Sequence, residues 1–309
     1  MEPTDQTKTN SILLALLVTF LWATSWVLIK WGLSDISPLI FAGIRYFLAF
    51  LCLLPFILTK SRREEITKLR GRDWLLLLLL GVLYYALTQG AQFAGLAVLP
   101  AMSVSLILSF TSLFVAALGI KTLGEKPSKL QWVGLALNIL GACLYFYPVR
   151  FPREQWLAVG IVFLGMLGNS VSMVIGRKIN RDIHLAPINV TTISMGFGSI
   201  LLLAAGIIME APPKLEFNNW VLIVWLAVVN TALAFTWWNK ALQKLEAMEA
   251  SIINNTIMVQ IAVLAWVVLG ERMDSLEILG VTLAASGAVL VQLRRKPEAK
   301  EIQTEETIA

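Results

Sequence analysis

Apolar runs of about twenty residues, each long enough to cross a bilayer as one α-helix, recur from one end of this chain to the other. They fall near residues 12–32, 38–58, 74–95, 99–121, 129–147, 155–176, 186–209, 218–240, 247–269 and 275–293. Run length argues against a barrel, whose strands span about ten residues with alternating polarity. Composition agrees: 57% of residues are hydrophobic and 15% charged, where about 25% charged is ordinary for a soluble domain. The expected fold class is an all-α membrane protein of ten transmembrane helices. The first run is read as a span rather than a cleaved signal, because its leader is mixed in charge and more spans follow.

Charge distribution orients the spans. The 60–73 loop carries Lys60, Arg62, Arg63, Lys68, Arg70 and Arg72; the loop after span six carries Arg177, Lys178 and Arg181; the tail carries Arg294, Arg295 and Lys296. The 210–219 loop has Lys214 beside Glu210 and Glu216. The positive-inside bias places the first three in the cytoplasm and the last outside, so both termini are expected to be cytoplasmic, in the cell membrane. Arg150 and Arg153 count against this assignment. Topology explains the basic loops without a nucleic-acid partner.

The chain also repeats itself. Leu123-Gly124-Glu125 recurs as Leu269-Gly270-Glu271, and the same displacement, 146 residues from Glu125 to Glu271, lays 96–144 over 242–290 without a gap. Gly134 and Gly141 fall on Gly280 and Gly287, and Ser105 falls on Ser251. Two homologous halves follow, 1–150 and 151–309. Each contributes five spans, and an odd number inverts the second half in the membrane, giving two inverted five-helix repeats. Inverted repeats are common in transporters, where substrate binds near the midplane between halves. The two repeated glutamates are expected to tie helix turns, with the glycine ending the preceding helix.

These features resemble the drug/metabolite transporter superfamily, and within it the ten-span EamA family. The resemblance rests on the two five-span halves, the Leu-Gly-Glu endings and the glycine-marked spans five and ten. It is carried also by Trp22-Ala-Thr-Ser-Trp26 with Lys30, Ser37-Pro38, Phe41-Ala42 and Arg45-Tyr46. It implies movement of small metabolites through a cavity lined by spans one, three, four, six, eight and nine. It leaves the solute open. Small multidrug exporters, distant relatives, use a glutamate in the first helix; none stands here from Ile12 to Trp31.

No acidic residue falls mid-span, which removes the usual carriers of proton coupling and cation binding. The spans hold neutral polar and aromatic groups instead. Tyr85, Gln89 and Gln92 are four and three apart in span three, and Ser105, Ser109 and Ser112 repeat that spacing in span four, so each set shares a helix face. Ser251, Asn255 and Met258 do so in span nine. Thr231 and Trp238 share a face of span eight, with Asn230 beside them; span six offers Asn169 and Ser170, and span one offers Ser25 between Trp22 and Trp26. Serines often serve only close helix packing, whereas unpaired amides are costly in lipid and face protein or a wet cavity. The expected substrate-lining set is therefore Trp22, Ser25, Trp26, Tyr85, Gln89, Ser105, Ser109, Asn169, Asn230, Thr231, Trp238 and Asn255. Arg45, two turns into span two, either pairs structurally or meets an anionic group. Cys52 and Cys143 lie within spans as packing residues.

The small faces of spans five and ten, Gly134-Asn138-Gly141 and Gly280-Ala284-Gly287, serve helix packing within the chain, with a homodimer contact as the alternative. No metal site or cofactor is expected, since His184 is the sole histidine. The expected function is export of amino acids or related small polar metabolites by alternating access. Another organic solute, nucleotide-linked sugar or drug-like, is the alternative. A membrane-embedded enzyme would need a catalytic group set; the spans hold no H-E-x-x-H and no aspartate pair. A non-transporting scaffold would leave the polar faces idle.

Overall fold

The computed structural model describes residues 5–123, 128–147, 152–183, 185–242, 245 and 247–292, and every regular element among them is helical. Spans one and two are α1 (Asp5–Gly32) and α2 (Pro38–Ile57), followed by a short polar helix, α3 (Lys60–Thr67). Span three is continuous but changes its winding: α4 (Gly71–Leu80), a π-helical segment Gly81–Gln89, then α5 (Gly90–Val98). Span four divides at Phe110 into α6 (Ala101–Ser109) and α7 (Thr111–Leu123). Span five is α8 (Lys129–Tyr145).

In the second half, α9 (Trp156–Asp182) and α10 (Pro187–Met209) form spans six and seven. Span eight repeats the winding of span three, with α11 (Phe217–Ala227), a π-helical segment Val228–Leu233 and α12 (Ala234–Leu242). Spans nine and ten are α13 (Ala247–Leu269) and α14 (Ser275–Gln292). Among the described residues, six spans, the first three and the sixth to eighth, are long and apolar enough by themselves to cross a bilayer; spans four, nine and ten hold shorter apolar helices there.

The helix ends follow from local chemistry. Proline opens α2 and α10, where its missing N–H leaves no bond unmade and its φ suits a first turn. Ser128 and Gln131 form a capping box at α8. Gly270 ends α13 at φ +67°, in the left-handed region glycine enters without a Cβ penalty. The Glu271 N–H then reaches back to the Ala265 carbonyl, six residues earlier, and satisfies one of the last carbonyls of the helix. The matching Gly124 and Glu125 lie outside the described residues, as does His184.

Equivalent helices of the two halves pack antiparallel, which is the inversion that an odd span count implies. In the α2–α10 pair, Gly206 lies against Ile40, Gly43 against the Leu203 backbone and Gly196 against Phe50: as residue numbers rise along one helix they fall along the other. The α8–α14 pair is tighter. Gly141 faces Gly280 and Ala284, Gly280 faces Tyr145, and Gly287 faces Gly134 and Asn138. Asn138 donates from Nδ2 to the Ala284 carbonyl at 3.1 Å, and these two residues are 146 apart. Equivalent positions in contact mark the pseudo-two-fold axis. The small faces of spans five and ten are thus used against each other within the chain.

Between these pairs lies the core. Span one packs on spans eight and nine, and span six packs on spans three and four, the mirror arrangement. Outward surfaces are apolar, with Leu157, Ile208 and Phe217 at least three-quarters exposed, as lipid contact requires. Trp74, Trp156 and Trp220 sit at span starts and partly exposed, where interfacial anchors belong. Cys52 and Cys143 are free and exposed on this outer surface, not packed as the sequence led us to expect; a thiol is apolar enough to face lipid.

Candidate substrate pathway

The two π-helical segments occupy equivalent places in the two halves. Tyr84 and Tyr85 of the first lie 146 residues before Asn230 and Thr231 of the second. The wider i→i+5 turns free carbonyls from the regular ladder. Thr88 Oγ1 donates back to the Leu83 carbonyl and Thr231 Oγ1 to the Leu226 carbonyl, each at 2.8 Å and five residues away. Those hydroxyls satisfy backbone groups that have no water to turn to. Span three also comes very close to span seven where its π segment begins. A Cβ on Gly81 would stand 2.4 Å from the Ser194 carbonyl oxygen.

Adjacent residues of α2 tie to both segments. Tyr46 donates its hydroxyl to Gln89 Oε1 at 2.7 Å. Arg45 donates from Nε and Nη2 to Thr231 Oγ1, at 3.3 and 3.2 Å. The guanidinium lies 5.2 Å from the Tyr46 ring centre and 5.9 Å from that of Phe93. Tyr85 stands edge-on to both Tyr46 and Tyr84. All of Arg45, Tyr46, Tyr85, Gln89 and Thr231 are buried.

A second group forms around span one. Trp22 meets Phe235 and Trp238 at 5.5 and 5.3 Å between ring centres. Asn230 donates from Nδ2 to the Leu21 carbonyl, to Thr24 Oγ1 and, at 3.1 Å, to Ser25 Oγ. Gln260 Nε2 reaches Thr19 and Thr256. Both threonine hydroxyls spend their protons on carbonyls one turn back, so they accept, and the amide orientation follows. Asn230 Oδ1 and Gln260 Oε1 are left buried with no donor. Trp26 is half-buried against the main apolar core.

The remaining expected residues scatter. Asn169 donates to Thr111 Oγ1, joining spans six and four, and its Oδ1 has no donor. Ser105 is buried in the same helix. Ser109 bonds the Leu106 carbonyl and receives Asn138 Nδ2 at 3.4 Å, so it reaches the five–ten pair; span four breaks one residue later, between Ser109 and Ser112, and a strict face count does not hold through that break. Thr231 and Trp238 have different partners. Thr231 meets α2 and Trp238 meets α1, because the π segment rotates the helix between them. Asn255 lies on α13 with its side chain outside the described residues.

Two recesses among the described residues are not bordered by the expected set. A recess of about 470 Å³ is bordered by Lys30, Trp31, Pro100 and Glu271, and another of about 540 Å³ by Glu65, Lys68, Arg70, Arg72 and Lys178. Both lie at helix ends, and neither reaches the buried polar groups. The core is instead closed by hydrogen bonds between spans. Reading 3.6-residue faces from the sequence missed Tyr46, Tyr84, Thr111 and Phe235 as members of these groups. No signal in the sequence announces a π turn.

Glu210, Glu271 and Glu65 close helix starts by reaching across to the other half. Glu210 accepts from the Leu39 and Ile40 N–H groups, both at 2.9 Å, at the start of α2. Glu271 accepts from Ala101 and Met102 at the start of α6. Glu65 accepts from Ala186 N–H and Asn189 Nδ2 at the start of α10. A first turn exposes unpaired N–H groups and the positive end of the helix dipole, so a carboxylate is the natural partner. The repeated glutamate therefore does tie a helix turn, but one belonging to the opposite repeat. Beside Glu271, Lys30 Nζ donates to the Leu99 carbonyl.

Known proteins share this plan. The EamA-like transporter family matches the chain twice, at residues 9–147 and 150–293. The uncharacterised transporter YoaV of Bacillus subtilis is 26% identical over 277 residues, covering 87% of this chain and 92% of that protein. A protein of Salmonella typhimurium named as a probable amino-acid metabolite efflux pump is 27% identical over 292 residues, covering 89% of this chain and 92% of its own length. A solved crystal structure shares the fold with a TM-score of 0.66 at 15% identity, covering 91% of this chain and 96% of that one.

Proposed function

The chain belongs to the EamA-like transporter family, and from that premise we propose that it exports amino acids or related small polar metabolites across the cell membrane by alternating access. The observation that carries this reading is the pair of equivalent π segments, one per inverted half, which α2 ties together through Tyr46–Gln89 and Arg45–Thr231. Polar groups deep among apolar helices cost stability unless a function uses them. Span one with spans eight and nine, and span six with spans three and four, form two symmetry-related groups that can rock about the axis marked by the α2–α10 and α8–α14 pairs.

The carboxylate caps fit the same mechanism. Glu210 and Glu271 join the halves at one end of the bundle and Glu65 joins them at the other, so opening either end breaks a cap there. The basic 60–73 loop supports a cytoplasmic side for both termini. The relative of Salmonella typhimurium supports amino-acid metabolites as the solute class.

The test is counterflow in proteoliposomes holding the purified full-length chain, against a panel of amino acids, a nucleotide-linked sugar and a drug-like cation. Uptake of amino acids into preloaded vesicles, with no chemical change in the solute, is expected. Uptake confined to the sugar or the cation would replace the solute class. Absence of flux for every solute would remove the transporter reading itself.

A further inference from the structure

The most costly group in the core is the guanidinium of Arg45, only 5% exposed. It has five N–H donors in a fixed fork, and it is charged at any working pH. Nε and Nη2 converge on the single Thr231 hydroxyl, and Tyr46 and Phe93 offer ring faces. Among the described residues no carboxylate pairs with it. Glu65, Glu210 and Glu271 are committed to helix starts. A buried charge is ordinarily held by an opposite charge, because a hydroxyl and aromatic faces recover only part of the lost hydration.

A second group nearby is also incomplete. Asn230, the residue before Thr231, fixes its amide by donating to the Leu21 carbonyl, and its Oδ1 stays buried with no donor. Arg45 meets the π segment at Thr231, and the adjacent Asn230 carries the acceptor without a donor; a cation and an acceptor on neighbouring positions complement a solute that carries a carboxylate and an N–H group. Arginine suits the carboxylate because its fork meets two oxygens at once.

We propose that Arg45 is the carboxylate receptor of the transport pathway, and that the chain selects its solutes by that group. This rests on the transporter reading above and narrows it. Simple organic cations offer the fork nothing to read; the phosphates of a nucleotide-linked sugar, which a guanidinium fork also binds, are the competing anion that the counterflow panel distinguishes.

The experiment compares each of L-alanine, L-threonine and L-phenylalanine with its α-amide, by counterflow into proteoliposomes of the full-length chain. Wild-type protein is expected to prefer at least one acid over its amide by about tenfold or more, the size of one charge-assisted bond. Arg45→Gln should erase that preference, and Arg45→Lys, a point charge without the fork, should keep part of it. Should Arg45→Gln not purify, the wild-type preference and its reduction in Arg45→Lys carry the test. Equal rates for acids and amides in the wild type, or a full preference in Arg45→Gln, would overturn the inference while leaving transport intact. No flux of any acid or amide would overturn both. Repeating the wild-type measurement with isethionate in place of chloride separates a solute carboxylate from a resident small anion. A preference that disappears without chloride assigns the anion to chloride and overturns the inference.

Discussion

Arg45 of α2 and Thr231 of the second π segment are held together by two N–H donors on one hydroxyl oxygen, at 3.3 and 3.2 Å, across 186 residues of sequence. Thr231 can accept both because its own proton goes to the Leu226 carbonyl. Replacing Thr231 by valine keeps the shape and removes the acceptor. A buried guanidinium left without it should cost about 1–3 kcal/mol. Tryptophan fluorescence during thermal unfolding in detergent should show a lower midpoint for Thr231→Val and a near-normal one for Thr231→Ser. Equal midpoints for wild type and valine would mean the contact contributes nothing.

The cross-repeat caps predict a second ordering. Glu210→Ala and Glu271→Ala each strip two helix-start N–H groups of a charged acceptor, at a cost of about 1–2 kcal/mol. Glutamine at the same place keeps an acceptor oxygen and should cost less. Unfolding midpoints of the four variants decide the matter, and a glutamine as harmful as alanine would point to charge alone.

Glycine substitutions separate contact from propensity. A Cβ on Gly141 would stand 2.4 Å from both the Gly280 oxygen and the Ala284 nitrogen, with only backbone to yield. Gly141→Ala should therefore lower the yield of folded protein sharply. Gly160, which faces open space in α9, is the control. There alanine should be neutral or stabilising by about 0.5–1 kcal/mol. Similar yields and midpoints for the two variants would contradict the tight α8–α14 contact.

Trp22 and Trp238 offer a coupling measurement. Their rings are 5.3 Å apart, with Phe235 on the other side of Trp22. A double-mutant cycle of Trp22→Leu and Trp238→Leu should show an interaction of about 0.5–1.5 kcal/mol. Strict additivity would show that the two rings do not act together.

Proton coupling should be weak. Glu65, Glu210 and Glu271 are occupied as helix caps, and the spans contain no histidine. Solute flux is expected to follow the solute gradient, with counterflow rates unchanged by an imposed pH gradient. Uphill accumulation that tracks the proton gradient would reveal a carrier group; Glu249, whose side chain lies outside the described residues, would then be the first to replace with glutamine.

The helices, the repeat and its inversion were legible because each depends on local or periodic chemistry. Twenty apolar residues in lipid must satisfy their own backbone, which leaves the α-helix, and an odd number of spans per half must invert the second. Proline starts and the Gly270 ending were readable for the same reason. The faces of the spans were not. Counting by 3.6 put Thr231 with Trp238 and Ser109 with Ser112, but a π segment lies between the first pair and a helix break between the second. Nor could spacing show that Glu271 caps α6 of the other half, or that Arg45 meets a hydroxyl in place of an acid. A side chain's partner is set by which helices stand next to one another, and close glycine contacts between helices far apart in sequence decide that.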